Sequence, residues 1–168
     1  MIAAGEPVGT LGGSALASWT PFWTMVAVLA VITVVLFVVG RPSTPSWPIL
    51  QPLSRIPNGL TRITRIPGWA AVAIGLAFYG LLVAGQGFYA DVSWHIALGR
   101  DDDLLTAPHA GILLGLVMIV GGAVLGTVIA TFERVDGIHV GALRTPPPLV
   151  PLWALGLGAI VGFPLDDV

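Results

Sequence analysis

The chain has 168 residues, of which 55% are hydrophobic and 10% charged, with a mean hydropathy of +0.91; a soluble domain carries about 25% charge, so a water-soluble fold is excluded. The net charge is −2, every cation is an arginine and no contiguous basic run occurs, which leaves nothing for nucleic acid to bind. With no cysteine there can be no disulfide, iron–sulfur cluster or thiolate-zinc site, and His, Asp and Glu remain as the strong metal ligands.

In chain order, the stretch between Glu6 and Arg41 carries no charge, and from Trp19 to Val39 it is almost continuously Val, Leu, Ile, Ala and Phe. That is a full-length span. It lacks a basic leader and a small-residue cleavage site, while Trp19 and Trp23 stand where an interfacial anchor belongs, so it reads as a retained first helix. A second span is expected over about 69–89 and a third over about 108–132, both uncharged apart from His109. A fourth, about 149–163, follows the break at Pro146-Pro147-Pro148. It is short for a core of about 30 Å crossed at about 1.5 Å per residue, and needs the prolines, tilt or further residues to complete it. The expected fold is a single all-α domain, a polytopic integral membrane bundle of about four transmembrane helices.

The connections predict its orientation. Arg41, Arg55, Arg62 and Arg65 fall between the first two spans, and Arg134 and Arg144 between the last two. The second-to-third connection has only Arg100 against Asp91, Asp101, Asp102 and Asp103. By the positive-inside rule the 40–68 and 133–148 loops face the cytoplasm of a cell membrane, and both termini and the 91–107 connection face outward. The first loop repeats itself weakly, as Ser54-Arg55-Ile56-Pro57 and Thr64-Arg65-Ile66-Pro67, and reads as an interfacial segment with its arginines among lipid headgroups. Gly111/Gly115 and Gly122/Gly126 in the third span are small-x-x-x-small pairs that let helix backbones approach closely. The approach is either within the chain or against other membrane subunits or a second copy.

Ionisable groups at membrane depth are costly and tend to mark function. They gather in the connection between the second and third spans, beginning Asp91-Val92-Ser93-Trp94-His95 and ending Thr106-Ala107-Pro108-His109. If the second helix continues, Asp91 and His95 share a face one turn apart. Thr106 can cap the third helix, with Pro108 in its first turn and His109 just inside. A tight hairpin would then bring a carboxylate and two imidazoles together, a site for copper, zinc or non-haem iron. Side chains pointing inward, with Cβ atoms within about 8 Å, are what bonds of about 2 Å require. The same residues could equally cap a helix, pair with Arg100 or solvate an outer loop. His139, in the connection Glu133-Arg134-Val135-Asp136-Gly137-Ile138-His139, reads as part of a solvated loop turning at Asp136-Gly137. Asp101, Asp102 and Asp103 lack the surrounding spacing of a calcium loop.

The run Asp-x-Ser-Trp-His, followed by Arg-Asp and a Thr/Pro step to a second His, resembles the metal-binding stretch found in one membrane component of the copper membrane monooxygenases, the particulate methane and ammonia monooxygenase family. The resemblance covers about 19 residues. It implies that Asp91, His95 and His109 hold a metal ion, copper in that family's usual reading, with Arg100 and Asp101 matching its Arg-Asp. The family has Thr-Pro-x-His where this chain has Thr106-Ala107-Pro108-His109, so the proline is displaced by one. No catalytic residue is assigned by the resemblance. What it implies is a copper-binding component of a multi-subunit, monooxygenase-like oxidoreductase; the alternative is a non-catalytic accessory membrane protein packed against partner helices.

One further pattern concerns the chain end. Gly87-Phe88-Tyr89-Ala90-Asp91 is echoed by Gly162-Phe163-Pro164-Leu165-Asp166, each at the outward end of an apolar span. The echo predicts a longer parent protein of two helix-loop-helix repeats, each with an Asp-x-x-x-His half-motif; the equal alternative is that Phe163 to Val168 is an interfacial aromatic followed by an acidic tail.

Overall fold

The computed structural model describes residues 19–40, 54–99 and 106–162. They are mostly helical: α1 Thr20–Val39, α2 Arg55–Thr64, α3 Gly68–Leu98, α4 Ala107–Phe132 and α5 Val150–Gly162, with a hairpin of β1 Ile138–Val140 and β2 Leu143–Thr145 and a 3₁₀ turn at Pro147–Leu149. The all-α expectation holds. Three helices, α1, α3 and α4, are long and apolar enough to cross a membrane, and the apolar stretch Pro147–Gly162 is shorter. The expected 69–89 span is only part of α3, which runs on to Leu98. Asp91 and His95 therefore stand on its last two turns. The apolar count in the sequence falls off at Asp91, but helix continues because no Pro or Gly interrupts the chain between Tyr89 and Leu98.

The antiparallel pair α3/α4 is the core of the molecule and its most extensive interface. It is built on small residues. A Cβ added at Gly87 would lie 2.6 Å from the Ile112 amide nitrogen, and one at Gly122 would lie 2.7 Å from the Ala73 carbonyl oxygen. Gly111 in turn meets Gly87, and Gly115 meets Gly80 and Ala84. Both small-x-x-x-small pairs of α4 are thus spent within the chain, on α3, where close backbone approach increases dispersion contact between helices.

The flanking helices attach by fewer, more specific contacts. Tyr79 of α3 donates its hydroxyl proton to the Met25 carbonyl of α1 at 2.6 Å, while Leu36 is the buried residue of α1 and Val31, Val34 and Val38 are exposed. On α4, the hydroxyl of Thr127 is approached by the indole N–H of Trp153 from α5 at 3.1 Å. Gly156 of α5 lies against Val120. Thr131 Oγ1 accepts from the Arg144 amide at 2.8 Å, which ties the hairpin to the end of α4. The hairpin pairs Ile138 with Thr145, His139 with Arg144 and Val140 with Leu143. Its turn is at Gly141, with φ of 60°. The expected turn at Asp136-Gly137 is corrected: the chain turns at Glu133-Arg134, where the φ of Arg134 is 56°, and Asp136 and Gly137 lie outside any turn on the way into β1.

α2 is a short amphipathic helix. Ile56, Leu60 and Ile63 share one side, Arg55, Asn58 and Arg62 the other. Its Gly59 sits on the Leu36 carbonyl of α1, and the Arg55 guanidinium lies 4.9 Å from the Phe37 ring centroid, a cation–π contact. The two Ser/Thr-Arg-Ile-Pro quartets take different structures. Arg55 opens α2, with Pro57 in the first turn, where its missing N–H costs nothing; Arg65 closes it in the left-handed conformation with φ of 61°, and Pro67 caps α3. Because the helices alternate in direction, Arg55, Arg62, Arg65, Arg134 and Arg144, the arginines of the described residues, all lie at one end of the bundle. Asp91, His95 and His109 lie at the other.

Candidate metal centre

Two helix ends make the site. The last turns of α3 carry Asp91 and His95 at i and i+4 on one face, and the first turn of α4 carries His109. The glycine contact between Gly87 and Gly111 holds these ends together. It lies one turn from Asp91 on α3 and two residues past His109 on α4.

The result is a convergence of three side chains. One ligand atom each from Asp91, His95 and His109 lies within 4.8 Å of the others. Asp91 Oδ1 is 2.9 Å from His109 Nε2 and 3.5 Å from His95 Nε2, and the two imidazole rings are tilted at 45° with centroids 6.3 Å apart. Atoms bound tetrahedrally at about 2.0–2.2 Å from one ion stand about 3.4 Å apart, so the Asp91–His109 pair would open slightly and the widest pair would close by up to about 1.4 Å, movements of the order that side-chain torsions supply. The side chains of Asp91 and His109 are 17% and 13% exposed and that of His95 33%, so the group opens on the His95 side.

The polar surroundings bear on whether a cation fits. His95 Nδ1 is 3.3 Å from the Gly99 carbonyl oxygen. A carbonyl can only accept, so the ring's Nδ1 carries the proton in that bond. Nε2 of the same ring faces the Asp91 carboxylate. A ring nitrogen and a carboxylate oxygen facing each other at 3.5 Å are suited to a cation between them, a proton or a metal ion. One carboxylate and two imidazoles suit a borderline transition metal such as copper, zinc or iron, so the residues present fit the group.

Thr106 departs from its expected role. It occupies the N-cap of α4, but its side chain makes no cap hydrogen bond. Its Oγ1 is buried and without a hydrogen-bond partner, three residues before His109. Pro108 falls in the first turn as expected. His139, on the exposed strand β1 opposite Arg144, is far along the chain at the arginine end and does not join the site. Arg100 and Asp101 to Asp103, and the echo from Phe163 onward, lie outside the described residues.

Sequence reasoning brought Asp91, His95 and His109 together but missed Gly99. A glycine at the C-cap of a helix four residues after a candidate ligand was the available signal. Comparison with protein-family models, with curated proteins and with solved structures finds no significant match.

Proposed function

We infer that this chain is an integral membrane protein whose Asp91, His95 and His109 bind one transition-metal ion, copper by the family resemblance, at the end of the bundle opposite the arginines. The observation that carries the reading is the meeting of three ligand atoms from two helices within 4.8 Å. Membrane residence is supported by the exposed apolar surface. Val31, Val34 and Val38 of α1 and Phe78 and Leu81 of α3 are each more than half exposed, a surface that water would penalise at about 25 cal/mol per Å² and that lipid does not. α2, with Ile63 64% exposed beside its arginines, has the form of a helix lying in the interface. With α5 tilted or the bilayer thinned around it, four passes result, and the arginine end is cytoplasmic.

Three protein ligands and an open side leave a coordination position for an exogenous molecule. A copper ion there supplies Lewis acidity or one-electron chemistry. The protein's own part is to hold a carboxylate and two imidazoles in a partly dry pocket. On this reading the chain is a subunit of a monooxygenase-like membrane oxidase, with other membrane subunits or further copies around it. A second reading has its own observation: the 2.9 Å bond between Asp91 and His109 pins α3 to α4 without any metal, as an accessory subunit would require.

Metal analysis of the purified protein separates the two. After supply of copper, zinc or iron in turn, one equivalent of metal retained by the wild type and lost by the D91A/H95A/H109A variant is expected. Sub-stoichiometric metal that is equal in the two proteins rejects the metal site and leaves the accessory role.

A further inference from the structure

The bundle has a concavity that the metal centre does not use. α3 and α5 both pack on α4 but touch each other little, and the cleft between them is a cavity of about 440 Å³. Ile119 of α4 is at its floor, Ile74, Phe78 and Leu81 of α3 line one wall, and Leu152 and Leu155 of α5 line the other. The α5 wall starts without a donor to offer. Pro147, Pro148 and Pro151 have no N–H, and the amides of Leu149 and Val150 are bonded to the carbonyls of Pro146 and Pro147. An apolar occupant suits such walls along their whole length.

The dimensions select a hydrocarbon chain over a helix. α3 lines the cleft from Trp69 to Leu81, a rise of about 18 Å at about 1.5 Å per residue. Over that length the volume leaves a cross-section of about 24 Å². A helix about 10 Å across needs about 80 Å², whereas a hydrocarbon chain, whose carbons pack at about 4 Å, needs about 20 Å². The length is close to that of one leaflet, half of a hydrocarbon core about 30 Å thick. Because α3 and α5 both begin at the arginine end, the mouth of the cleft, at Trp69 and Pro148, opens there. That mouth is cationic. Arg65 stands four residues before Trp69 and Arg144 four residues before Pro148, one leading into each wall. Among the described residues no carboxylate pairs with either; Arg144 donates to the Arg134 carbonyl at 3.4 Å. The N-cap of α3, Pro67, supplies no side-chain acceptor, so the positive end of that helix dipole also faces the mouth.

We propose that the cleft between α3 and α5 holds one acyl chain of an anionic phospholipid, with the lipid phosphate at the mouth between Arg65 and Arg144. This rests on membrane residence and is independent of the metal centre. Basic pockets between transmembrane helices take anionic headgroups, and here the two halves of such a ligand meet two kinds of surface, a chain-wide apolar cleft and an unpaired cationic rim. A zwitterionic lipid could fill the same cleft, but it would bring its own cation among the arginines, so the rim selects for net negative charge. The chain in the cleft supplies the contact that α3 and α5 do not make with each other.

The experiment titrates the full chain, purified in a mild detergent and free of metal, with phosphatidylglycerol and with phosphatidylcholine of the same chains, and reads bound lipid by native mass spectrometry. One equivalent of phosphatidylglycerol is expected to bind, more tightly than phosphatidylcholine. Arg65→Gln and Arg144→Gln should each weaken phosphatidylglycerol about fivefold and leave phosphatidylcholine unchanged, with Arg62→Gln, on α2 away from the cleft, as the control. Leu155 is 63% exposed, so the larger ring of Leu155→Trp can enter the cleft without entering the core; this variant should lose both lipids at unchanged helical content. A wild-type measurement needs no variant to fold: phosphatidylglycerol with a diazirine midway along its chain, photolysed in nanodiscs, should crosslink to Phe78, Leu81 or Leu155. Equal affinity for the two lipids, a preference that survives in a folded Arg65→Gln/Arg144→Gln protein, or crosslinks as dense on Val31 and Val34 of α1 as in the cleft would each overturn the proposal. So would a lipid-free dimer that Leu155→Trp dissociates, which would put a second copy in the cleft. Protein recovered without detergent in the soluble fraction rejects membrane residence itself, whereas membrane-bound protein without lipid preference rejects only the lipid site, so the two failures are told apart.

Discussion

At the scale of single residues, the three candidate ligands are not equivalent. Asp91 sits between the imidazoles and reaches both, at 2.9 Å from His109 and 3.5 Å from His95. His109 is the most enclosed, 13% exposed, and its bond to the carboxylate crosses between helices, whereas Asp91 and His95 share one helix. Removing His109 therefore takes away an interhelical contact that removing His95 does not. In metal-free protein, His109→Ala is expected to cost about 1.5–3 kcal/mol, the range for a hydrogen bond to a charged group, and His95→Ala less. Thermal unfolding in a fixed detergent measures both. Equal losses would mean that the 2.9 Å bond carries no weight in holding α3 to α4. Both variants should lose the metal, since a carboxylate and one imidazole are too few donors for tight binding.

At the scale of elements, the site depends on a contact that touches no ligand. Gly87 and Gly111 bring the ends of α3 and α4 to backbone distance, with Gly80 and Gly115 doing the same deeper in the bundle. A leucine at either level must push the helices apart, because the atoms it meets are backbone, which cannot move aside as a flexible side chain can. Gly87→Leu and Gly115→Leu are predicted to abolish stoichiometric metal binding and to lower thermal stability, whereas Gly85→Ala, facing open space, should leave both unchanged. Metal content together with an unfolding curve for the three variants checks this, and retained binding in Gly87→Leu would show that the helix ends are set by something other than the glycine seam. The other helices are attached differently. α1 relies on the bond from Tyr79 to Met25, and α5 on the bond from Trp153 to Thr127, single polar contacts of the kind that orient helices where apolar surface has no preference between lipid and protein.

At the scale of the whole molecule, charge is segregated along the bundle axis. The arginines of the described residues stand at one end, and the Asp/His group at the other. In a membrane with a cytoplasmic arginine end, the Asp/His group faces outward. Single cysteines at position 54, before α2, and at position 102, between α3 and α4, test the orientation in a chain that has no cysteine of its own. An impermeant thiol reagent on intact cells is expected to label 102 and spare 54. The reverse pattern would invert the topology and place the metal group inside.

How much of this was legible beforehand differs by feature. The sequence by itself determined the all-α class, the three long apolar segments and the residue types of the site, because these follow from composition, from the period of 3.6 and from the rarity of ionisable groups among apolar ones. It left open whether α3 runs on to Leu98, since polar residues at a membrane edge are compatible with helix or loop, and the absence of Pro and Gly between Tyr89 and Leu98 permits helix without requiring it. Nor could it say which partner the glycine pairs of α4 would take. The tertiary structure spends them on α3, and that choice sets the ligand geometry: Asp91 and His109 are 18 positions apart in the sequence, and only the close approach at Gly87 and Gly111 brings them within 2.9 Å. The contact between the His95 ring and the Gly99 carbonyl was equally out of reach, because it depends on one backbone angle that residue type permits but does not dictate.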